Sequence, residues 1–289
     1  MKHAFLIIAH QEFPVLETLI EALDYPDNDI FLHLDKKVEY AVKYKTIHSQ
    51  LIMVSEADRI DVRWGDCTQI WSELALYKTA TAHGNYDYYH LLSGIDFPIK
   101  TQEYIHRFFE QYNGKIFQGI MPNAWRTRTK LQYFHFFTKN LKSKTLRGHV
   151  ETKMHWILTQ IQKVLCIKRD MGCFPELCKG ANWSSLTHEA VMQILSKEEW
   201  IRKRFKYTYA CDEVYKAIIL WNSPLREKIY NTEDEYEGCM RLVDWKRGNP
   251  YIWQESDLEE ILSSNKLFAR KFSCEHLALI EKIKKRINK

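Results

Sequence analysis

The sequence predicts an α/β domain with a mostly parallel central sheet flanked by helices, on three observations. Ala4-Phe-Leu-Ile-Ile-Ala9 and Ile30-Phe-Leu-His-Leu34 are nearly unbroken apolar runs of strand length, as in parallel strands buried on both faces. Between them Val15, Leu16, Leu19, Ile20 and Leu23 recur at helical spacing. The same alternation continues downstream, a βαβ rhythm that fits one large domain in 289 residues.

Pro14 sits well in the first turn of the first helix. Asp27-Asn28-Asp29 is a turn before the second strand, and Leu51 to Val54 is a third. Val62-Arg63-Trp64-Gly65 makes a tight turn, and Ile70, Leu74, Tyr77 and Ala80 mark a helix. Tyr88 to Leu92 is a further buried strand, closed by Ser93-Gly94, and Phe97-Pro98 keeps a helix from starting. Asp96 is thereby held on a turn at a strand's C-terminal end, where ligands bind in open α/β sheets, although a turn aspartate bonding its own backbone has the same pattern. Glu103 to Tyr112 is an amphipathic helix, and Lys115 to Ile120 reads as a strand. Thr187 caps a helix whose apolar face is Val191, Ile194 and Leu195. Asp212-Glu213 precede a further helix, where the dipole favours ionised carboxylates. Arg241 to Trp245 reads as a short strand before a basic turn at Lys246-Arg247-Gly248, Ser256-Asp257-Leu258 opens a helix, and Leu267-Phe-Ala-Arg-Lys-Phe272 follows it.

Between Met121 and Asp170 basic residues and aromatics interleave. A nucleic-acid patch and a membrane-facing helix, with Trp156, Ile157, Ile161, Val164 and Leu165 as its stripe, both fit this pattern. The default expectation is an ordinary helix packed on the core with a solvated basic face. The basic end, Lys284-Lys285-Arg286, would allow peripheral contact with an acidic membrane.

Composition narrows the classes. A formal charge of +5 is modest for this length and suits anionic small ligands without requiring nucleic acid. The seven cysteines are scattered with no C-x-x-C pair, as in reduced thiols of a cytosolic protein, and offer no four-ligand metal spacing. No G-x-G-x-x-G follows the first strand and there is no G-x-x-x-x-G-K-[ST], so neither a dinucleotide fingerprint nor a P-loop is present.

Five stretches occur in one order: Ile7-Ile8-Ala9-His10, His33-Leu34-Asp35-Lys36-Lys37, Leu91 to Lys100 with Ser93-Gly94-Ile95-Asp96-Phe97-Pro98 at its centre, Asp212-Glu213 after a Thr-Tyr pair, and Leu267-Phe-Ala-Arg-Lys-Phe272. Together they resemble the core-2/I-branching β-1,6-N-acetylglucosaminyltransferase family, which also holds peptide O-xylosyltransferases. The resemblance runs from about residue 4 to 275. It implies a GT-A-like domain over 1–275, with 121–178 as a variable acceptor-side insertion and 276–289 as a basic C-terminal helix.

The resemblance further implies inverting transfer from a UDP-sugar, most simply UDP-GlcNAc, without a divalent metal or other cofactor. The same chemistry with UDP-xylose, UDP-galactose or UDP-glucuronate, and a non-catalytic carbohydrate-binding protein, are the alternatives. Glu213 matches the family's base, which takes the acceptor hydroxyl's proton. Lys271 matches a lysine that meets the diphosphate, and an accompanying arginine falls at Arg247, with Lys246 and Arg270 as competitors. His10, Asp35 and Trp64 fall on the donor side. Asp96, Arg128, Trp183, Asp212 and Trp245 fall on the acceptor side, the tryptophans as stacking faces for sugar rings. Without the membrane anchor, stem and disulfides of eukaryotic members, the expectation is a bacterial cytosolic relative, optionally peripheral on the inner face of a membrane. Its acceptor would be a saccharide or lipid-linked saccharide.

Overall fold

A computed structural model describes residues 1–122 and 125–287, less the side chains of residues 125 and 126. Its strands are β1 (His3–Ala9), β2 (Asn28–Leu34), β3 (Gln50–Met53), β4 (Tyr88–Ser93), β5 (Asp96–Pro98), β6 (Met121–Pro122), β7 (Cys178–Lys179), β8 (Ser185–Thr187), β9 (Arg241–Val243) and β10 (Phe268–Arg270). The central sheet has the order β3-β2-β1-β4-β8. Its first four members are parallel and β8 closes the edge antiparallel. A second sheet, β5-β10-β9, and the short β6-β7 pair complete the strand pairing of the described residues.

The unbroken apolarity of β1 follows from cover on both faces. Phe5 and Ile7 share a core with Val15, Leu16, Leu19 and Ile20 of the helix Phe13–Leu23. Ala4 and Leu6 pack instead with Ile70, Leu74 and Tyr77 of the helix Thr68–His83. Each fully buried aliphatic side chain contributes about 1.5–3 kcal/mol by leaving water. The helix Leu277–Ile287 joins the first of these cores through Leu279, Ile280 and Ile283, and Lys284 bonds Glu21 at 2.7 Å, so the basic end is packed on the domain. Residues 288–289, the end of the basic tail, lie outside the described residues.

Four readings change. Asn28 opens β2 rather than the turn, because its amide is buried and donates to the Leu23 carbonyl and to Gln102. Lys115 to Ile120 forms no strand: only Ile116 and Phe117 make single bridges, to Ile229 and Ser185. The backbone there is pinched, since a Cβ on Gly180 would fall 1.8 Å from the Gly119 carbonyl oxygen. Helices Trp125–Gln132 and Glu198–Phe205 have too few apolar positions to announce themselves.

The fourth change is the helix Leu146–Val164. It does not turn an apolar face to the core. The side it buries holds Gly148, His155, Thr159 and Gln162. Gln162 accepts from the Phe134 amide and donates to its carbonyl, both at 2.8 Å, and His155 Nδ1 meets the Phe136 carbonyl at 2.7 Å.

Candidate active site

The C-terminal ends of β1 and β2 and the end of β10 converge on one cleft. His10 follows β1, Asp35 follows β2, and Lys271 follows β10. His10 is exposed, yet the crowded cleft desolvates it enough to lower its pKa. Asp35 opposes that shift, and Lys37, Arg270 and Lys271 add to it, so four charged side chains lie within electrostatic reach of the ring. Lys142 stands over Trp64, its ammonium 3.7 Å from the ring centroid. Its pKa is lowered by burial and then by the Lys271 charge.

Asp35 is nearly buried, and its oxygens accept from the Lys37 amide at 2.9 Å, the Lys37 ammonium at 2.8 Å and the Val62 amide at 3.2 Å. These bonds fix the loop after β2, the strand-end turn that the residue type allows. Asp96 departs further from expectation. It is 1% exposed, starts β5 opposite Arg270 of β10, and takes Arg270 Nη1 at 2.8 Å on one oxygen and the Ser93 amide at 2.8 Å on the other. Burial pushes its pKa up while Arg270 draws it down. Asp96 therefore orients Arg270 and is not open to an acceptor. Trp183 is likewise covered on one face, where the Arg270 guanidinium lies 4.5 Å from its centroid.

Arg247 is also committed elsewhere. Its guanidinium pairs with Asp244, with Asp257 at 2.8 Å and with Glu260 at 2.8 Å. Three carboxylates already neutralise it, so it is not an open diphosphate ligand. Lys271 and Arg270 stand closer to His10 in electrostatic reach.

A second group of side chains continues the cleft from Trp64. Tyr209 packs edge-on to Trp64 at 6.0 Å and over Gly65, whose φ of +77° suits a residue without Cβ. A Cβ there would sit 2.9 Å from the Tyr209 ring. The Lys130 ammonium lies 5.7 Å from the Tyr209 centroid and 3.2 Å from Glu213 Oε2. Glu213 is 46% exposed and held through its backbone, whose carbonyl accepts from the Gly180 amide at 2.8 Å. Asp212 beside it is buried, with Gln69 Nε2 at 3.0 Å. Its pKa is pushed up to about 7, first by burial, then by the charges of Glu213 and Glu73, with Lys130 opposing. The helix that follows, Tyr215–Trp221, begins two residues after Glu213, and burial overrides any dipole preference for an ionised Asp212.

These contacts form a chain of cation, aromatic and carboxylate from Lys142 through Trp64, Tyr209 and Lys130 to Glu213, and the Lys271 charge acts on Lys142 at its far end. A family model described as Core-2/I-Branching enzyme matches residues 3–264, from β1 to the helix before β10. The chain belongs to that family.

Among its relatives, human beta-1,3-galactosyl-O-glycosyl-glycoprotein beta-1,6-N-acetylglucosaminyltransferase is 24% identical over 93% of this chain and 65% of its own length. A human protein described as probable beta-1,3-galactosyl-O-glycosyl-glycoprotein beta-1,6-N-acetylglucosaminyltransferase 7 is 28% identical over 51% of this chain and 32% of its own. The chain thus spans under two thirds of either relative. The crystal structure of mouse xyloside xylosyltransferase 1, apo form, aligns over 95% of this chain and 98% of that one at 11% identity, with a TM-score of 0.37.

Within this Core-2/I-Branching chain, Arg128 is exposed on the helix that carries Lys130, and Trp245 is half-exposed beside Tyr236, whose surroundings include the Glu235 and Glu213 charges. Lys130, Lys142 and Tyr209 are the residues that reading the sequence missed. Lys130 and Lys142 stood among many cations of the middle segment, with no spacing to single them out. A cleft of about 1140 Å³ is lined by Lys36, Arg59, Asp61, Phe136, Lys139 and Tyr207. Neither Glu213 nor Lys271 reaches it.

Proposed function

We propose that this chain is an inverting, metal-independent glycosyltransferase that moves a sugar, GlcNAc in the first instance, from a UDP-sugar to a hydroxyl of a saccharide acceptor. The observation that carries this reading is the half-exposed Glu213 carboxylate, joined through Lys130, Tyr209 and Trp64 to Lys142, which feels the Lys271 charge. Glu213 takes the proton of the attacking hydroxyl as the new bond forms at the anomeric carbon. The bond to UDP breaks on the opposite face, and Lys271, Lys142 and Arg270 meet the charge that grows on the departing diphosphate. His10 and the loop fixed by Asp35 border the uridine end. Asp212 is a buried neighbour that titrates near neutrality and so modulates the field at Glu213. The printed names of the two human relatives support GlcNAc as the first donor to try.

The deciding experiment is calorimetric titration with UDP-GlcNAc, UDP-xylose, UDP-galactose and UDP-glucuronate, in EDTA and then with manganese. The reading expects UDP-GlcNAc to bind in EDTA. A preference for another UDP-sugar keeps the mechanism and changes the product. Binding that requires manganese overturns the metal-free assignment, and binding of none points to a non-catalytic protein.

A further inference from the structure

We infer that the helix Leu146–Val164 docks this protein onto the surface of an anionic lipid bilayer, apolar side inward. Leu146, Val150, Met154, Ile157, Ile161 and Val164 each lie between 41% and 81% exposed. At 3.6 residues per turn they fall within an arc of about 80°. This is the reverse of an ordinary surface helix, whose apolar stripe faces the core. Here the inner side is polar, and Gln162 and His155 Nδ1 are bonded to 134–136, so rotating the helix to hide its stripe would break those bonds. The exposed stripe is therefore built into the fold.

Charge selects the occupant. Residues 137–169 hold eight lysines and arginines and one carboxylate, Glu151, whereas the whole chain carries only +5. The remainder is thus slightly acidic, and the positive charge is gathered around this helix. Arg147 and Lys153 border the stripe on its two sides, in the arrangement of a helix lying in the interface of an acidic membrane. A second copy is disfavoured, because a two-fold contact would press this cationic face against itself. A nucleic acid would use the cations and leave the stripe in water. Among the described residues no helix is long and apolar enough to cross a membrane, so the contact is peripheral. The stripe also lies beside the cleft: Trp156 packs against Tyr209 at 6.2 Å, and Tyr209 is the ring under Lys130. A lipid-linked molecule resting in the bilayer would meet the cleft from this side.

The test is flotation of the full chain with vesicles of phosphatidylcholine alone and of phosphatidylcholine mixed equally with phosphatidylglycerol, which reads the surface without any sugar transfer. The expected result is flotation with the anionic vesicles only, weakened by added salt. Ile157→Ser with Ile161→Ser should lower the partition coefficient at least about tenfold, from the apolar area lost. Lys153→Glu with Lys163→Glu should lower it by at least about 30-fold. All four positions are exposed, and circular dichroism checks that both variants remain folded. Failure to float, equal flotation on both vesicle types, or unchanged flotation of the isoleucine variant would overturn the inference. So would a dimer in sedimentation that the isoleucine variant dissociates, which would give the stripe to a second copy.

Discussion

Lys130 and Glu213 form an ion pair at 3.2 Å whose carboxylate is half open to solvent. The pair leaves Glu213 reachable by an acceptor hydroxyl while a cation stands beside it. If Glu213 is the base, Glu213→Gln keeps the shape and removes the proton acceptor. Turnover should fall on the order of 10³-fold, the scale of general-base catalysis, with UDP affinity within a few-fold of the parent. Steady-state transfer measured beside UDP calorimetry checks this, and near-parental turnover would reject Glu213.

Arg247 and Lys271 should part company. Arg247→Ala removes a cation already shared by Asp244, Asp257 and Glu260, so the melting temperature should drop while UDP affinity holds. Lys271→Ala should weaken UDP binding by about 10- to 100-fold, the range of a charge-assisted contact to phosphate. Titration of both variants with UDP distinguishes them. The opposite pattern would restore Arg247 as the diphosphate ligand.

Asp212 predicts a pH dependence of a particular sign. Its folded-state pKa is raised to about 7 from 3.8, so its contribution to stability is complete below the unfolded value and is lost as pH rises through about 7. Asp212→Asn should therefore stabilise the fold by about 1–3 kcal/mol near pH 8 and hardly at all near pH 4. It should also remove any inflection near pH 7 in kcat/KM. Denaturant unfolding at the two pH values, with a rate profile, measures both.

The buried histidines act in the other direction. Burial lowers His33 and His135 to about 4 from 6.5, and neither Nδ1 has a hydrogen-bond partner among the described residues. Depressed histidine values mean stability that is present above pH 6.5 and lost as pH falls toward 4. The loss should reach about 3 kcal/mol for each ring. Urea unfolding between those limits should show a falling midpoint; a flat one would mean the rings are not buried neutral.

Much of the sheet was legible because β1, β2 and β4 are buried on both faces and must be apolar throughout. Burial also explains what the sequence concealed. Asp96 looked like a ligand residue at a strand end, but whether a carboxylate meets solvent or an arginine depends on the strand opposite, and Arg270 is 174 residues away in sequence. Arg247 was hidden in the same way by Asp257 and Glu260. Lys130 and Lys142 are picked out from other lysines only by where Tyr209 and Trp64 stand. The helix Leu146–Val164 has the amphipathic period of a packed helix, and periodicity cannot say which side faces in.

β10 is the middle strand of β5-β10-β9, and beyond it Glu12 accepts from the Cys274 amide at 2.6 Å, tying the first loop of the chain to its last turn. His10 of that loop thus lies within electrostatic reach of Arg270 and Lys271, more than 250 residues further along. Removing β10 would take the middle strand out of β5-β10-β9 and Phe268 and Ala269 out of the core that holds β1, so Arg270 and Lys271 could not be lost without unseating the sheet beneath them.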